Sequence, residues 1–163
     1  MGKKTEKLFN SIAPFYGLFF KFQVNYYRRI LKRIQPHYEL MQHRTIIDIG
    51  CGTGALCYVL ASLGMEVTGV DQATKMLAIA RKRLKKREVS LVRATIFEAL
   101  PFPDKIFDVA ISSYTLHGMN KEERVKMYQE MDRLAKQQVI FHDYNQKRSI
   151  VIDIAEKLEG GNY

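Results

Sequence analysis

The chain is poor in several things. Among its 163 residues there are two cysteines, Cys51 and Cys57, and no group of His and Cys at metal-ligand spacing. That excludes a disulfide scaffold and a motif-borne metal centre, and it fits reduced thiols in a cytoplasmic protein. No apolar run reaches the roughly 20 residues that a membrane-spanning helix needs. No secretory signal pattern is visible. Acids are scarce as well: 17 Asp and Glu stand against 26 Lys and Arg, for a net charge of +9. Such a balance suits nucleic acid or an anionic membrane surface, and equally an ordinary solvated surface. What is present is 47% hydrophobic content, enough for a single domain with a real core.

The organising stretch is 45–54, Thr-Ile-Ile-Asp-Ile-Gly-Cys-Gly-Thr-Gly. Thr45, Ile46, Ile47 and Ile49 are β-branched and predict a strand buried on both faces. Asp48 interrupts the run. Gly50, Cys51, Gly52, Thr53 and Gly54 then predict a tight turn, and a helical pattern opens at Ala55. Strand, glycine turn and helix in that order begin a doubly wound α/β domain, with amides at the helix start facing a ligand. Val67-Thr68-Gly69-Val70-Asp71 reads as a second strand ending in an acid. A carboxylate there can accept two hydrogen bonds from a ribose diol.

Asp48-Ile-Gly-Cys-Gly-Thr-Gly54 resembles the cofactor loop of class I methyltransferases that use S-adenosyl-L-methionine (SAM). Its glycines, at 50, 52 and 54, leave the last spacing one residue shorter than the dinucleotide fingerprint. The resemblance continues through Gly69-Val-Asp71, Met76-Leu77, Leu100-Pro-Phe-Pro-Asp104, Phe107-Asp108 and Leu116-His117, and covers residues 45–145. Phe9-Asn-Ser-Ile-Ala-Pro-Phe-Tyr16 is similar to a segment of ubiquinone and menaquinone biosynthesis methyltransferases. There it lids the cofactor pocket, which would place Tyr16 near the reactive methyl.

The resemblance implies a Rossmann-like αβα sandwich with a five-stranded parallel sheet of order 3-2-1-4-5 and N-terminal helices. One domain is expected over 1–163: a helical lid over 1–40, a cofactor core over 45–145 and a final helix over 146–163. It implies SAM as cofactor and S-adenosylhomocysteine as product. The residues implied to hold SAM are Asp48, Gly50, Cys51, Gly52, Thr53, Gly54, Asp71, Gln72, Met76, Thr95, Ile96, Ser112 and Ser113. Thr95 stands where the family often has an acid for the adenine amino group, and a hydroxyl accepts that bond more weakly.

Along the chain, residues 1–7 are polar and expected to be mobile. Pro14 and Gly17 predict a break between a short helix and a longer one over 18–34. Arg28, Arg29, Lys32 and Arg33 suit the end of that helix or an acidic lipid surface. Helices are expected over 55–63, 73–86, and from a capping box at Asn120 and Glu123 to about Ala135. Thr74 is expected to cap the second of these. Strands are expected over 65–70, 89–93, 106–113 and 138–141. Arg81 through Arg87 form a basic tail that suits the helix dipole, with RNA or phosphate contact as the alternative.

The family's sheet normally ends in two further strands, and no segment here is left for them. The expectation is a shortened core, cut from a longer chain or short by nature, with the fifth strand an exposed edge inviting a homodimer. The acceptor is expected to be a small molecule. A SAM-binding module inactive in this form and an RNA-modifying enzyme stand as alternatives. Methyl transfer needs positioning more than acid–base chemistry. If a hydroxyl acceptor must lose its proton, Tyr16, His117 and His142 are the candidates.

Overall fold

Ile46, Ile47 and Asp48 pair with a neighbour on each side, so the first strand lies at the centre of the sheet. The computed structural model describes residues 2–35, 42–96 and 98–143. Its strands are β1 (Thr45–Ile49), β2 (Glu66–Asp71), β3 (Val89–Arg93), β4 (Phe107–Ser113) and β5 (Ala135–His142). They are all parallel and lie in the order β3-β2-β1-β4-β5, as the resemblance implies. The helices are α1 (Gly2–Leu18), α2 (Phe20–Ile34), α3 (Ala55–Ser62), α4 (Thr74–Leu84) and α5 (Lys121–Leu134).

The period-2 alternation of β1 divides the core into two layers. Ile46 packs with Leu56 and Leu60 of α3 and Leu77 and Leu84 of α4. Ile47 and Ile49 point the other way, onto Met127, Met131 and Leu134 of α5. Each such side chain, once buried, contributes about 1.5–3 kcal/mol. Asp108 clamps the start of β1: its carboxylate accepts from the backbone N–H of Arg44 and Thr45 at 2.9 Å each. Those bonds hold its carboxyl below the usual range. Arg133 of α5 fastens the proline loop, donating to Leu100 O, Phe102 O and Asp104.

Several local expectations shift. Helix α1 starts at Gly2, so residues expected to be mobile are helical, and Pro14 lies inside the helix rather than ending it. Gly17, also inside α1, lets the helix lie close along α4: a Cβ there would lie 3.3 Å from Ile79 Cδ1. The break falls at Phe19. No side chain from Ala73 or Thr74 caps α4. Asn10 of α1 supplies the acceptor instead, taking the Lys75 N–H at 2.8 Å, a tertiary contact that local pattern cannot reveal. The box at Asn120 and Glu123 forms as expected. Strand β5 begins directly after α5 and is longer than the apolar run that signalled it. The expected helix over 146–163 lies outside the described residues. Within them, β5 is an edge of the sheet.

Gly54 has φ +80°, and a Cβ built on it would stand 2.7 Å from Leu84 Cδ1 and 3.3 Å from Ala80 Cβ. Gly54→Ala adds left-handed strain to overpacking, together about 2–4 kcal/mol. Urea unfolding is expected to show that loss, and a variant as stable as the parent would mean that α4 shifts at no cost.

Candidate functional site

The turn after β1 lies at the carboxyl ends of the strands, where open α/β sheets hold ligands. Its geometry comes from three contacts. Gly50 and Cys51 donate their N–H groups to Val70 O at 2.8 and 3.0 Å, which binds the turn to β2. Asp71, at the tip of β2, accepts from Gly52 N–H at 2.9 Å through one oxygen and from Ala73 N–H at 2.7 Å through the other. One carboxylate thus joins the loop to the start of α4. Burial raises its pKa, and those backbone N–H bonds pull it back only in part.

The open side of the loop is at Gly52. Its φ is +53°, and a Cβ there would meet nothing within 4 Å. The cradle therefore leaves room for a ligand against backbone that carries no side chain, beside a carboxylate suited to a diol. A nucleoside-bearing group such as SAM fits this donor and acceptor set.

Beneath the loop the structure is dry. Asp48 is 1% exposed and lies behind the turn rather than on its open side. Its Oδ2 accepts from the Cys57 thiol at 3.2 Å. Burial pushes the Asp48 carboxyl up to about 7. A bond to Cys51, burial and the neighbouring carboxylate push the Cys57 thiol well up. Both cysteines are free thiols, as the composition suggests. Gly69 makes room for them: a Cβ on it would lie 2.9 Å from Cys51 Sγ and 3.0 Å from Cys57 Sγ.

The other expected residues fall into separate groups. Thr53 is buried, and its hydroxyl donates to Gln23 Oε1 of α2 at 3.3 Å. Met76 is 2% exposed and packs with Ala13 and Ala73, with Tyr16 at the edge of that cluster. Gln72 is half-buried, and its carbonyl accepts from Arg93. Thr95 and Ile96 follow β3, both half-buried. Ser112 is buried and donates to Ile49 O, just before the loop, at 2.8 Å.

Ser113 belongs to a second constellation at the ends of β4 and β5. Its Oγ lies 2.7 Å from His142 Nδ1 and 3.0 Å from Tyr27 OH. Tyr26 and Tyr114 share a hydroxyl–hydroxyl bond, and the Tyr114 ring stands 4.7 Å from the His142 ring. Tyr114 reaches this position with φ +55°, a left-handed conformation costing a tyrosine on the order of 1 kcal/mol. Burial lowers the His142 pKa, with Asp143 opposing, and burial raises that of the Tyr27 phenol. His117 is held apart from this group: Asp143 Oδ1 lies 2.9 Å from its Nδ1, and Asp143 Oδ2 accepts from Leu116 N–H. Sequence reasoning found His142, His117 and Ser113, and set Tyr114 at the ligand end of the fourth strand, but missed Tyr26, Tyr27 and Gln23. The tyrosine pair and Gln23 sit in an aromatic-rich helix that reads equally as packing.

Thr115 connects the two groups. A Cβ on Gly50 would strike its Oγ1 at 2.6 Å, and Thr115 donates to Ser113 O at 3.2 Å. The glycine loop and the His142 cluster therefore share one end of the sheet. Among the described residues, no cluster of His, Cys, Asp or Glu could hold a metal ion, and no helix is long and apolar enough to cross a membrane.

Known proteins place this architecture. Residues 46–138 match a family described as a methyltransferase domain. A demethylmenaquinone methyltransferase of Tropheryma whipplei (strain Twist) is 33% identical over 127 residues, which is 73% of this chain and 51% of the relative. A malonyl-[acyl-carrier protein] O-methyltransferase of Bacillus cytotoxicus is 30% identical over 130 residues, 77% of this chain and 45% of the relative. The chain thus spans about half the length of the curated relatives it matches. The solved structure of a Pyrococcus horikoshii OT3 protein aligns with TM-score 0.67 at 23% identity. That alignment covers 81% of this chain and 60% of the other, and it shows the shared fold.

The buried carboxyls set a pH dependence. The folded chain keeps the Asp48 proton up to about pH 7, whereas an unfolded aspartate loses it near its ordinary value of 3.8. The folded state then binds more protons, so this group's contribution to stability falls as pH rises through that window and levels off above it. Asp71, also raised, acts in the same direction. Asp48→Asn cannot titrate and keeps an acceptor for Cys57. Thermal melting at a series of pH values is expected to show the variant gaining on the parent from about pH 4 to about pH 7. Parallel curves would mean that Asp48 is charged in the fold.

Proposed function

The chain belongs to the class I SAM-dependent methyltransferases, and from that premise we propose that it transfers the methyl group of SAM to a small-molecule acceptor of the demethylmenaquinone type. The observation that carries this reading is one shared end of the sheet. The open face at Gly52 and Asp71 share that end with an aromatic wall of Tyr26, Tyr27, Tyr114 and His142. A flat, largely apolar acceptor suits such a wall, because aromatic rings stack or meet edge to face. The name of one relative, demethylmenaquinone methyltransferase, supports this acceptor class, while malonyl-[acyl-carrier protein] O-methyltransferase names an acyl group carried on a protein.

When bound, SAM supplies a methyl group on an already activated sulfonium. The protein's tasks are to position both partners and to keep water out. Asp71 is proposed to accept from the ribose diol. The Gly50–Gly54 loop is proposed to lie along the sugar and the amino-acid part, with Gln72, Met76, Thr95 and Ile96 around the base. Of the three proton-acceptor candidates, His142 is best prepared. Burial keeps its ring neutral, and Ser113 holds Nδ1 in a bonded chain that reaches the Tyr27 phenol. Tyr16 packs on α4 instead, and His117 is oriented by Asp143. The helices α1 and α2 act as the lid in this reading, fastened through Asn10, Gln23 and Tyr27.

Calorimetric titration with S-adenosylhomocysteine tests the cofactor half. One saturable site is expected, weakened tenfold or more in Asp71→Ala, since a charged hydrogen bond contributes about 1.5–3 kcal/mol. A folded chain without binding would refute the cofactor geometry. For the acceptor half, formation of S-adenosylhomocysteine with a hydroquinone acceptor is expected to hold level at neutral pH. It should fall only in acid, below the ordinary histidine range, as His142 gains its proton. His142→Gln should cost about 10²–10⁴-fold and remove that acid limb. An unchanged pH profile in the variant would assign the proton to another group.

A further inference from the structure

The positive charge of the chain is concentrated in two segments. Residues 8–35 and 74–87 hold 12 of the 26 Lys and Arg and none of the 17 acids, which leaves the remainder net negative. The fold brings these segments together. Arg83, near the end of α4, donates to Gly17 O at 2.9 Å and stacks its guanidinium over Phe20 at 5.2 Å. Phe20 meets Tyr58 edge to face at 5.9 Å. Arg28 and Arg87 each lie over the Tyr58 ring, at 5.9 and 4.8 Å. Tyr58, Lys82, Arg83, Lys85, Lys86 and Arg87 line a cleft of about 440 Å³ on this side.

Beside the cleft, the elbow between α1 and α2 presents large apolar side chains to solvent. Phe15 is 53% exposed, Leu18 77%, Phe19 48% and Phe22 58%. Phe15 and Phe19 touch, with ring centroids 5.9 Å apart. Lys21, Arg28 and Lys32 follow at helical spacing along α2, all exposed. A folded protein seldom leaves such a group uncovered without a use for it.

We propose that this elbow, with the basic cleft beside it, docks the protein on an anionic lipid bilayer. Charge complementarity selects the partner: cations ring the apolar group, as in helices that lie in the membrane interface. The Phe and Leu side chains enter the acyl boundary while the cleft takes anionic headgroups. Nucleic acid would satisfy the cations but offers no apolar phase to Leu18, the most exposed of the four. This inference rests on the surface alone and does not depend on the transferase reading.

The test is co-sedimentation of the full chain with vesicles of phosphatidylcholine mixed with phosphatidylglycerol, against phosphatidylcholine alone and against single-stranded RNA. Binding to the mixed vesicles only is expected, weakening as salt is raised. Lys85→Ala with Lys86→Ala should weaken partition about 5-fold per lysine removed. Leu18→Ser with Phe22→Ser should weaken it at least about tenfold. All four positions are exposed, so melting temperatures should stay near the parent's and show that the variants fold. The proposal is overturned by absence of binding to the mixed vesicles, by binding that neither pair of substitutions alters, or by RNA capturing the chain in preference.

Discussion

A single half-buried carboxylate holds the ligand end of this protein together. Asp71 accepts one backbone N–H from the glycine loop and another from the start of α4. Without it, the Gly52 amide and the first turn of α4 would be independent, and the loop would keep only the Thr53–Gln23 bond as a side-chain tether to another element among the described contacts. The arrangement is costly, because burial disfavours the charge. It is retained where both oxygens already have donors. The same carboxylate is the group suited to a ribose diol, so the interaction that shapes the loop also prepares it for a ligand.

The N-terminal helices carry more of the site than an accessory lid requires. Helix α1 caps α4 in trans through Asn10, and α2 reaches the loop through Gln23 and the ends of β4 and β5 through Tyr26 and Tyr27. Their inner faces therefore complete the site, while their outer elbow carries exposed phenylalanines and lysines. One pair of helices thus links two surfaces with different chemistries. A molecule arriving from an apolar phase would meet both, which joins the proposed acceptor class to the proposed lipid surface.

Much of the fold was legible because its signals are local. A β-branched run, a glycine turn and an apolar helical pattern repeat along the chain, and right-handed crossovers leave few ways to arrange them. The capping box at Asn120 and Glu123 was readable for the same reason. Thr74 as a cap was misread because the acceptor comes from Asn10, 65 residues earlier. Pro14 reads locally as a break, yet α1 continues past it and packs closely on α4 at Gly17. Tyr26 and Tyr27 had no signature, since aromatic residues at helical spacing usually mean core.

The sequence by itself determined the order of the elements, the glycine turn after β1 and the acid at the tip of β2. These follow from backbone preferences and side-chain periodicity, which act over a few residues. Only the tertiary structure decided which side chains meet: Ser113 with His142 and Tyr27, Asp143 with His117, Arg83 with the α1–α2 elbow. It also decided that Asp48 lies beneath the loop while Asp71 clamps it. Such pairings join residues tens of positions apart. They depend on the packing of whole layers, whose energies come from buried area and close contact rather than from any local pattern.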